Sequence, residues 1–344
     1  MRCERAKSAE VSRASALKFF AALTAVTFLL RIFYAGHLYE DDGLWFTAAE
    51  EILRGKALYR EIYFDKPPAI ALLYAGLFRV FGAHILTIRL FTICYSVAIS
   101  FALYLFGAWL YDRRAGLLAA ALFALFSTTY TTGHMQGLNT DFLMALPYTL
   151  GAYLLVRSRE NVWLALAGGA CVGVAFQTNP KAIFGLIFFV LLLLLMRLFI
   201  GRSGKQGNRE ARTYKSSALP LALAGAGFLI GVLPFAIYIA ANQALSDYWL
   251  QVWEWGARYA DYNSWQKSFV IGITISASYF SLNNTLLIAL IYVAWITARR
   301  VRSLFRKQGA VADERAFTSD ITLLLWFAVS YAAMAVGGRF YSHY

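Results

Sequence analysis

The stretch ALPLALAGAGFLIGVLPFAIYIAA, residues 218–241, contains no charged side chain. It is longer than the run of about 20 apolar residues that a helix needs to cross the hydrocarbon core of a bilayer. A second stretch, AIFGLIFFVLLLLLMRLFI at residues 182–200, is interrupted by a single arginine. The whole chain of 344 residues is 60% hydrophobic and 15% charged, whereas soluble domains are about 45–50% apolar and about 25% charged. We therefore predict an all-α integral membrane protein built as one polytopic helical bundle.

Nine segments are predicted to span the membrane, and the positive charges between them give their direction. The spans are 17–35, 87–111, 116–131, 142–156, 162–178, 182–200, 218–241, 269–298 and 319–336. If the amino terminus is cytoplasmic, 21 of the 32 Lys and Arg residues fall in the inner segments 1–18, 112–114, 157–161, 197–217 and 299–320. Lys and Arg are enriched in cytoplasmic loops. We expect a multi-pass protein of the inner (plasma) membrane, with residues 1–344 forming a single transmembrane domain.

The net charge of +13 is explained by these loops and does not indicate a nucleic-acid partner. The three cysteines are Cys3, Cys94 and Cys171, and the last two lie within apolar segments. A disulfide framework is therefore not expected. No Cys/His spacing typical of a metal site occurs. Because the chain is predicted to span the membrane, membrane lipids are expected partners.

The first outer loop, residues 36–86, is predicted to contain two surface helices. Ala69–Phe81 is apolar, but 13 helical residues extend only about 20 Å, which is too short for a core about 30 Å thick. Counting it as a span would also place Arg113 and Arg114 outside. An earlier helix begins near Leu44 and ends at Gly55. The Trp- and Tyr-rich segment 242–268 is expected to lie in the membrane interface as well.

Three consecutive acids, Glu40, Asp41 and Asp42, follow the first span. Asp42 before Gly43 could cap the next helix, because acids favour a helix N-terminus. Capping explains one or two acids. It does not explain three carboxylates at the membrane edge, where they repel one another and lose solvation. The alternative is that they line a substrate site, with one of them accepting a proton.

Lys66 precedes Pro67 and Pro68, which hold the backbone extended. Its side chain could simply reach towards the lipid headgroups. The functional alternative is a fixed cation that binds a phosphate.

Further charged residues are predicted on the same outer side: Asp141, Lys181, Arg339 and His343. Asp141 could cap the fourth span or face the same site as Asp41. The four histidines of the chain show no ligand spacing, so interfacial positions explain them better than metal binding. An acidic cluster could still hold a divalent cation, and no other cofactor is indicated.

The segment EDDGLWFTAAEEILRGKALYREIYFDKPPAIALLYAGLFRVFG, residues 40–82, resembles the first outer loop of polyprenyl-phosphate-sugar-dependent membrane glycosyltransferases with the GT-C fold. This group includes protein O-mannosyltransferases, the aminoarabinose transferase acting on lipid A, and rhizobial lipopolysaccharide sugar transferases. The shared pattern is an acidic pair, a surface helix closing at Gly, a Tyr, and an aromatic-acidic-Lys-Pro-Pro run. The resemblance is good over about residues 17–200, and the tail GGRFYSHY is similar to a later motif.

The resemblance implies a role for several residues. Asp41 matches the catalytic acid and Asp42 its acidic neighbour. Lys66 matches the lysine near the donor's lipid phosphate, and Asp141 matches the acid of the second outer loop. Substrate contacts are also expected from Glu40, Lys181, Arg339 and His343. The implied activity is transfer of a sugar from a polyprenyl-phosphate donor to a hydroxyl of a lipid, glycan or protein acceptor. We expect inversion at the anomeric carbon and a site that faces the periplasm or the cell exterior.

Two other classes of function stay open at this point. A transporter or lipid flippase would often show two related halves, and no such repeat is evident. The chain ends at Tyr344, earlier than is usual for this kind of transferase, so a truncated, inactive homologue is the second alternative.

Overall fold

The computed structural model describes residues 13–33, 35–36, 41–129, 137–200, 218–260, 264–282, 284–305 and 314–336. Helices account for most of these residues, and no β-strand is found among them. The predicted all-α architecture is confirmed.

In chain order, the first outer loop contains two helices and the other long helices form the bundle. Their bounds are α1 Arg13–Ile32, α2 Asp42–Leu53, α3 Ala69–Phe81, α4 Ile85–Leu110, α5 Arg113–Thr129, α6 Thr140–Arg157, α7 Trp163–Phe176, α8 Phe184–Ile200, α9 Ala218–Ala241, α10 Leu245–Tyr248, α11 Trp255–Ala260, α12 Trp265–Leu282, α13 Asn284–Phe305 and α14 Glu314–Ala335. A 3-10 turn, Pro180–Ile183, leads into α8, and a π-helical turn, Trp249–Glu254, joins α10 to α11.

Four of the described helical segments are long and apolar enough to cross a membrane: Ile85–Leu110, Pro180–Leu198, Ala218–Ala241 and Ala316–Ala335. Each coincides with a predicted span. Most described residues of the predicted spans 17–35, 116–131, 142–156 and 162–178 are also helical, in α1, α5, α6 and α7. That these four cross the membrane stays a prediction.

The predicted span 269–298 is covered by two described helical segments, α12 up to Leu282 and α13 from Asn284. Residue 283, between them, lies outside the described residues. That this region crosses the membrane as one span stays a prediction.

Helices α7 and α9 approach closely because each presents glycines to the other. A Cβ atom at Gly169 or Gly173 would overlap carbonyl oxygens of α9. A Cβ atom at Gly227 or Gly231 would in turn overlap carbonyl oxygens of α7. Each pair has the GxxxG spacing that brings helices together in membranes.

Polar contacts near the end of α4 join segments that were predicted to face the cytoplasm. The Tyr111 hydroxyl donates to Asp320 Oδ1 at 3.0 Å, and Asp320 also forms an ion pair with Arg300. Trp109 Nε1 donates to Glu160 Oε1 at 2.7 Å. These segments therefore lie on the same side of the bundle, as the predicted topology requires. That this side faces the cytoplasm stays a prediction.

The opposite end of α4 carries the first outer loop. Because α4 has 26 residues, its two ends lie about 39 Å apart. Helix α3 has the bounds predicted from sequence, and it packs against α2 and α4. Trp45, Phe64 and Tyr74 are fully buried between these elements. The loop is thus a packed structure that fixes the residues within it.

The described residues 242–260 form the part of the outer segment that contacts this loop. Trp249, Leu250 and Trp255 are exposed, while Val252 and Trp253 pack into the core beneath the loop. An apolar exposed face beside a packed inner face is what an interfacial segment needs.

Candidate active site

Asp41 and Asp42 have different environments although they are adjacent. Asp41 occupies the N-cap position of α2, is exposed, and does not cap the helix with its side chain. Its backbone carbonyl accepts from Leu44 N at 3.1 Å and Trp45 N at 3.2 Å. The Asp41 carboxylate is therefore held at the start of a helix, at an accessible position.

Asp42 is 2% exposed and forms an ion pair with Arg89, which is 3% exposed. The Tyr74 hydroxyl lies 3.3 Å from Asp42 Oδ1 and 3.1 Å from the Leu138 carbonyl oxygen. The interpretation of Asp42 as a helix cap is wrong, because Asp42 is the first residue of α2 and its carboxylate bonds to α3 and α4. The second prediction for Asp42, a direct catalytic role, stays a prediction.

Lys66 is held by its own loop. Its ammonium lies 2.8 Å from Asp65 Oδ2, and its backbone carbonyl accepts a hydrogen bond of 2.8 Å from the Tyr59 hydroxyl. The Lys66 side chain remains 39% exposed. Its backbone is fixed while its charge stays accessible.

The loop before α8 contacts both the start of α3, near Lys66, and Asp141. Ala69 N, three residues after Lys66, donates to the Gln177 carbonyl at 3.0 Å. Two residues further on, Asn179 Nδ2 donates to Asp141 Oδ1 at 2.9 Å. Asn179 Oδ1 accepts from Lys181 N at 3.1 Å. One short loop thus contacts the start of α3, the start of α6 and the backbone of Lys181.

The charges of four predicted site residues interact. Asp141 lies one residue before the predicted span 142–156, and burial raises its pKa to about 6. Lys181 and Lys66 act in the opposite direction and lower the pKa of Asp141, while the nearby Asp41 raises it further. Asp41, Lys66 and Lys181 therefore lie near enough to Asp141 for their charges to act on its carboxyl.

Three of the predicted site residues, Glu40, Arg339 and His343, lie outside the described residues. Their roles stay predictions. Among the residues that are described, no group of three or more His, Cys, Asp or Glu side chains is arranged to hold a metal ion. The acidic triplet 40–42 is not tested by this finding, since Glu40 is not included.

Several residues that make contacts near the site were not predicted from the sequence. Asn179 precedes a proline at a helix start, a pattern typical of a cap, and that signal was available. Arg89 is a charge within a predicted span, which often marks a functional position. Arg31 is a second such charge: its guanidinium donates to the Ser127 hydroxyl at 3.2 Å and lies over the Phe142 ring, 5.2 Å from its centroid.

Comparison with known proteins gives one family match. The family model described as dolichyl-phosphate-mannose-protein mannosyltransferase matches residues 65–238, about half of the chain. The match begins beside Lys66 and includes Asp141 and Lys181. The comparison with curated proteins gave no match. With an all-α membrane architecture and a match over half its length, the chain belongs to the dolichyl-phosphate-mannose-protein mannosyltransferase family of GT-C glycosyltransferases.

Proposed function

We propose that this protein transfers a sugar from a polyprenyl-phosphate donor to a hydroxyl acceptor at the outer face of the plasma membrane. The observation that carries the proposal is the electrostatic cluster of Lys66 and Lys181 with Asp141 and Asp41. A phosphate needs cations, and a hydroxyl nucleophile needs a carboxylate base. Both kinds of group meet in this cluster.

In the proposed reaction the acceptor oxygen attacks the anomeric carbon of the donor sugar. A new C–O bond forms, and the bond between the anomeric carbon and the phosphate oxygen breaks. The electron pair of the broken bond leaves with polyprenyl phosphate, and the acceptor proton passes to the Asp41 carboxylate. A single displacement of this kind inverts the anomeric carbon. Asp41 suits the base because it is exposed.

Lys66 and Lys181 are the proposed ligands of the donor phosphate. Negative charge grows on the phosphate as the glycosidic bond breaks, so nearby ammonium groups stabilise the transition state more than the ground state. The Asp141 carboxylate interacts electrostatically with both lysines. We assign it to holding the lysines and setting the charge of the site.

Asp42 is assigned a different role. Its ion pair with Arg89 joins the start of α2 to α4, and this contact fixes the direction in which Asp41 leaves the helix. Asp42 thus supports the base without touching the substrate.

The family description names dolichyl-phosphate mannose, so polyprenyl-phosphate mannose is the first donor to test. The acceptor is proposed to be a lipid, glycan or protein hydroxyl. The phosphoester bond already activates the donor, and the reaction needs no nucleotide.

The test is a transfer assay with purified protein in proteoliposomes and polyprenyl phosphate carrying radiolabelled mannose. Extracted membranes of the producing cells supply candidate acceptors, and label is counted in lipid, glycan and protein fractions. Asp41→Asn is compared with Glu50→Gln, which changes an acid on the same helix that pairs with Arg54 at the surface.

We expect Asp41→Asn to abolish transfer and Glu50→Gln to retain it, with both proteins folded. Intact transfer by Asp41→Asn would refute its assignment as the base. Movement of the donor across the membrane without any labelled product would instead support a transporter or flippase.

A further inference from the structure

The π-helical turn Trp249–Glu254 binds the first outer loop through one side chain. Gln251 Oε1 accepts a hydrogen bond of 2.8 Å from Phe64 N. Gln251 Nε2 donates a hydrogen bond of 2.7 Å to the Tyr59 carbonyl. Both polar ends of one glutamine are therefore used by the backbone of a segment that lies nearly 200 residues earlier in the chain. π-Helical turns are rare in proteins, and those that do occur are often found at functional sites.

The residue held by this glutamine has an unusual backbone. Tyr59 has φ 72°, in the left-handed region that side chains other than Gly rarely adopt. Such a conformation costs about 1–3 kcal/mol and persists only where its surroundings enforce it. Here Tyr59 N donates to Ile62 O at 2.9 Å, and the Tyr59 ring packs edge-on against Tyr248, 5.1 Å between centroids.

Tyr59 transmits this constraint to Lys66. Its side chain is 2% exposed, and its hydroxyl donates to the Lys66 carbonyl at 2.8 Å. Burial raises the pKa of Tyr59 well above its ordinary value, so the hydroxyl stays protonated and remains a donor. Two consecutive hydrogen bonds thus connect Gln251 to Tyr59 and Tyr59 to the backbone of Lys66.

We propose that Gln251 is a positioning residue for Lys66, acting through the strained Tyr59 turn to hold the lysine where it binds the phosphate of the donor. This inference rests on the proposed function, because it takes Lys66 as the phosphate ligand. Gln251 lies outside residues 65–238, the region that matches the family. The outer segment therefore acts on the site through the loop that carries Lys66.

The alternative is that Gln251 only holds the two surface segments together, and this alternative predicts a different result. Arg60 provides the comparison, since its guanidinium donates to Gln243 Oε1 at 3.1 Å and so joins the same two segments through a hydrogen bond that involves neither Tyr59 nor Lys66. If Gln251 were only such a tie, its removal and the removal of Arg60 would have similar effects.

The experiment measures donor KM, acceptor KM and kcat for Gln251→Leu, Gln251→Glu, Arg60→Met and Lys66→Met, and for the double variant Gln251→Leu with Lys66→Met. Gln251→Glu keeps the acceptor for Phe64 N and loses the donor to the Tyr59 carbonyl. We expect Gln251→Leu and Gln251→Glu to raise donor KM about tenfold, as for the loss of roughly 1.4 kcal/mol, with acceptor KM unchanged. Arg60→Met should leave donor KM unchanged, and the Gln251 change should add nothing once Lys66 is absent.

Hydrogen exchange of residues 59–66 is the second readout, and it does not depend on activity. Gln251→Leu should speed exchange there, whereas Arg60→Met should not. If Lys66→Met raises donor KM while both Gln251 variants leave donor KM and exchange unchanged, the positioning role is wrong. An additive effect of Gln251→Leu in the Lys66→Met background would also overturn it. If Lys66→Met itself leaves donor KM unchanged, the proposed phosphate ligand fails, and the positioning role fails with it.

Discussion

The side-chain Nδ2 of Asn179 donates a 2.9 Å hydrogen bond to the Asp141 carboxylate. The side-chain Oδ1 of the same asparagine accepts a hydrogen bond from Lys181 N. One asparagine thus orients an acid at the start of α6 and caps the turn that carries a lysine. A hydrogen bond to a charged group contributes about 1.5–3 kcal/mol. This contact makes Asn179 the connection between the acidic and basic halves of the site.

Replacing Asn179 by alanine is therefore expected to lower the transfer rate about tenfold, since roughly 1.4 kcal/mol corresponds to a factor of ten. Asn161→Ala is the matched control. The Asn161 side chain also accepts from the backbone N–H two residues later, Trp163 N, at 3.1 Å, but it lies in the predicted inner segment 157–161. Transfer rates of the two variants provide the measurement, and equal losses would show that the cap alone matters.

Donor affinity is expected to depend on pH through Asp141. Its pKa is raised by burial to about 6, so the carboxylate is ionised above pH 6 and neutral below it. The phosphodiester of the donor stays anionic throughout. As the pH falls through 6, the site loses one negative charge, and the donor should bind severalfold more tightly.

Donor binding by equilibrium titration on both sides of pH 6 checks this expectation. Asp141→Asn is the control, because its neutral amide cannot titrate. The variant should bind the donor with the same affinity across this range. A wild-type affinity that is constant through pH 6 would show that Asp141 does not set the charge of the donor site.

The Asp42–Arg89 pair is expected to matter for folding. Removing one partner of a buried pair leaves an uncompensated charge and costs about 3–5 kcal/mol. Asp42→Asn should therefore lower the unfolding temperature in detergent strongly, while Asp41→Asn, at an exposed position, should lower it little. Thermal unfolding followed by intrinsic fluorescence measures both. Equal unfolding temperatures would contradict the structural role of Asp42.

The contact between α7 and α9 gives a further stability prediction. Gly227→Ala places a methyl group against the Leu166 carbonyl oxygen, and overpacking of this kind costs about 1–3 kcal/mol. Gly225→Ala is the matched control on the same helix, because its added methyl group would meet no described atom within 4 Å other than those of its chain neighbours and its own helix backbone. Only Gly227→Ala should lower the unfolding temperature. The same loss from both variants would point to backbone effects of glycine rather than to helix contact.

Local sequence features predicted much of the fold. Helix α3 has the predicted bounds because Pro67 and Pro68 fix its start and Gly82, with φ 86°, fixes its end. Long apolar runs similarly predicted α4 and α9.

The site was predictable only in part. Short motifs identified Asp41, Lys66, Asp141 and Lys181, since each lies next to a span end or a proline. The contacts that organise them join distant positions: Asn179 and Asp141 are 38 residues apart, Arg89 and Asp42 are 47 apart, and Gln251 and Tyr59 are 192 apart. A single sequence carries no pairing information over such separations. The split between an exposed Asp41 and a buried Asp42 depends on these contacts and therefore required the structure.

Lys66 and Lys181 are proposed to bind the lipid phosphate of the donor at one site. The most direct measurement is the inhibition constant of the product, polyprenyl phosphate, against transfer by wild type, Lys66→Met, Lys181→Met and Lys56→Met. Lys56 is the control, because it lies in the same loop and pairs with Glu51. We predict an inhibition constant raised about tenfold or more in Lys66→Met and Lys181→Met, and unchanged in Lys56→Met. An inhibition constant equal to that of the wild type in both Lys66→Met and Lys181→Met would show that these lysines do not bind the lipid phosphate.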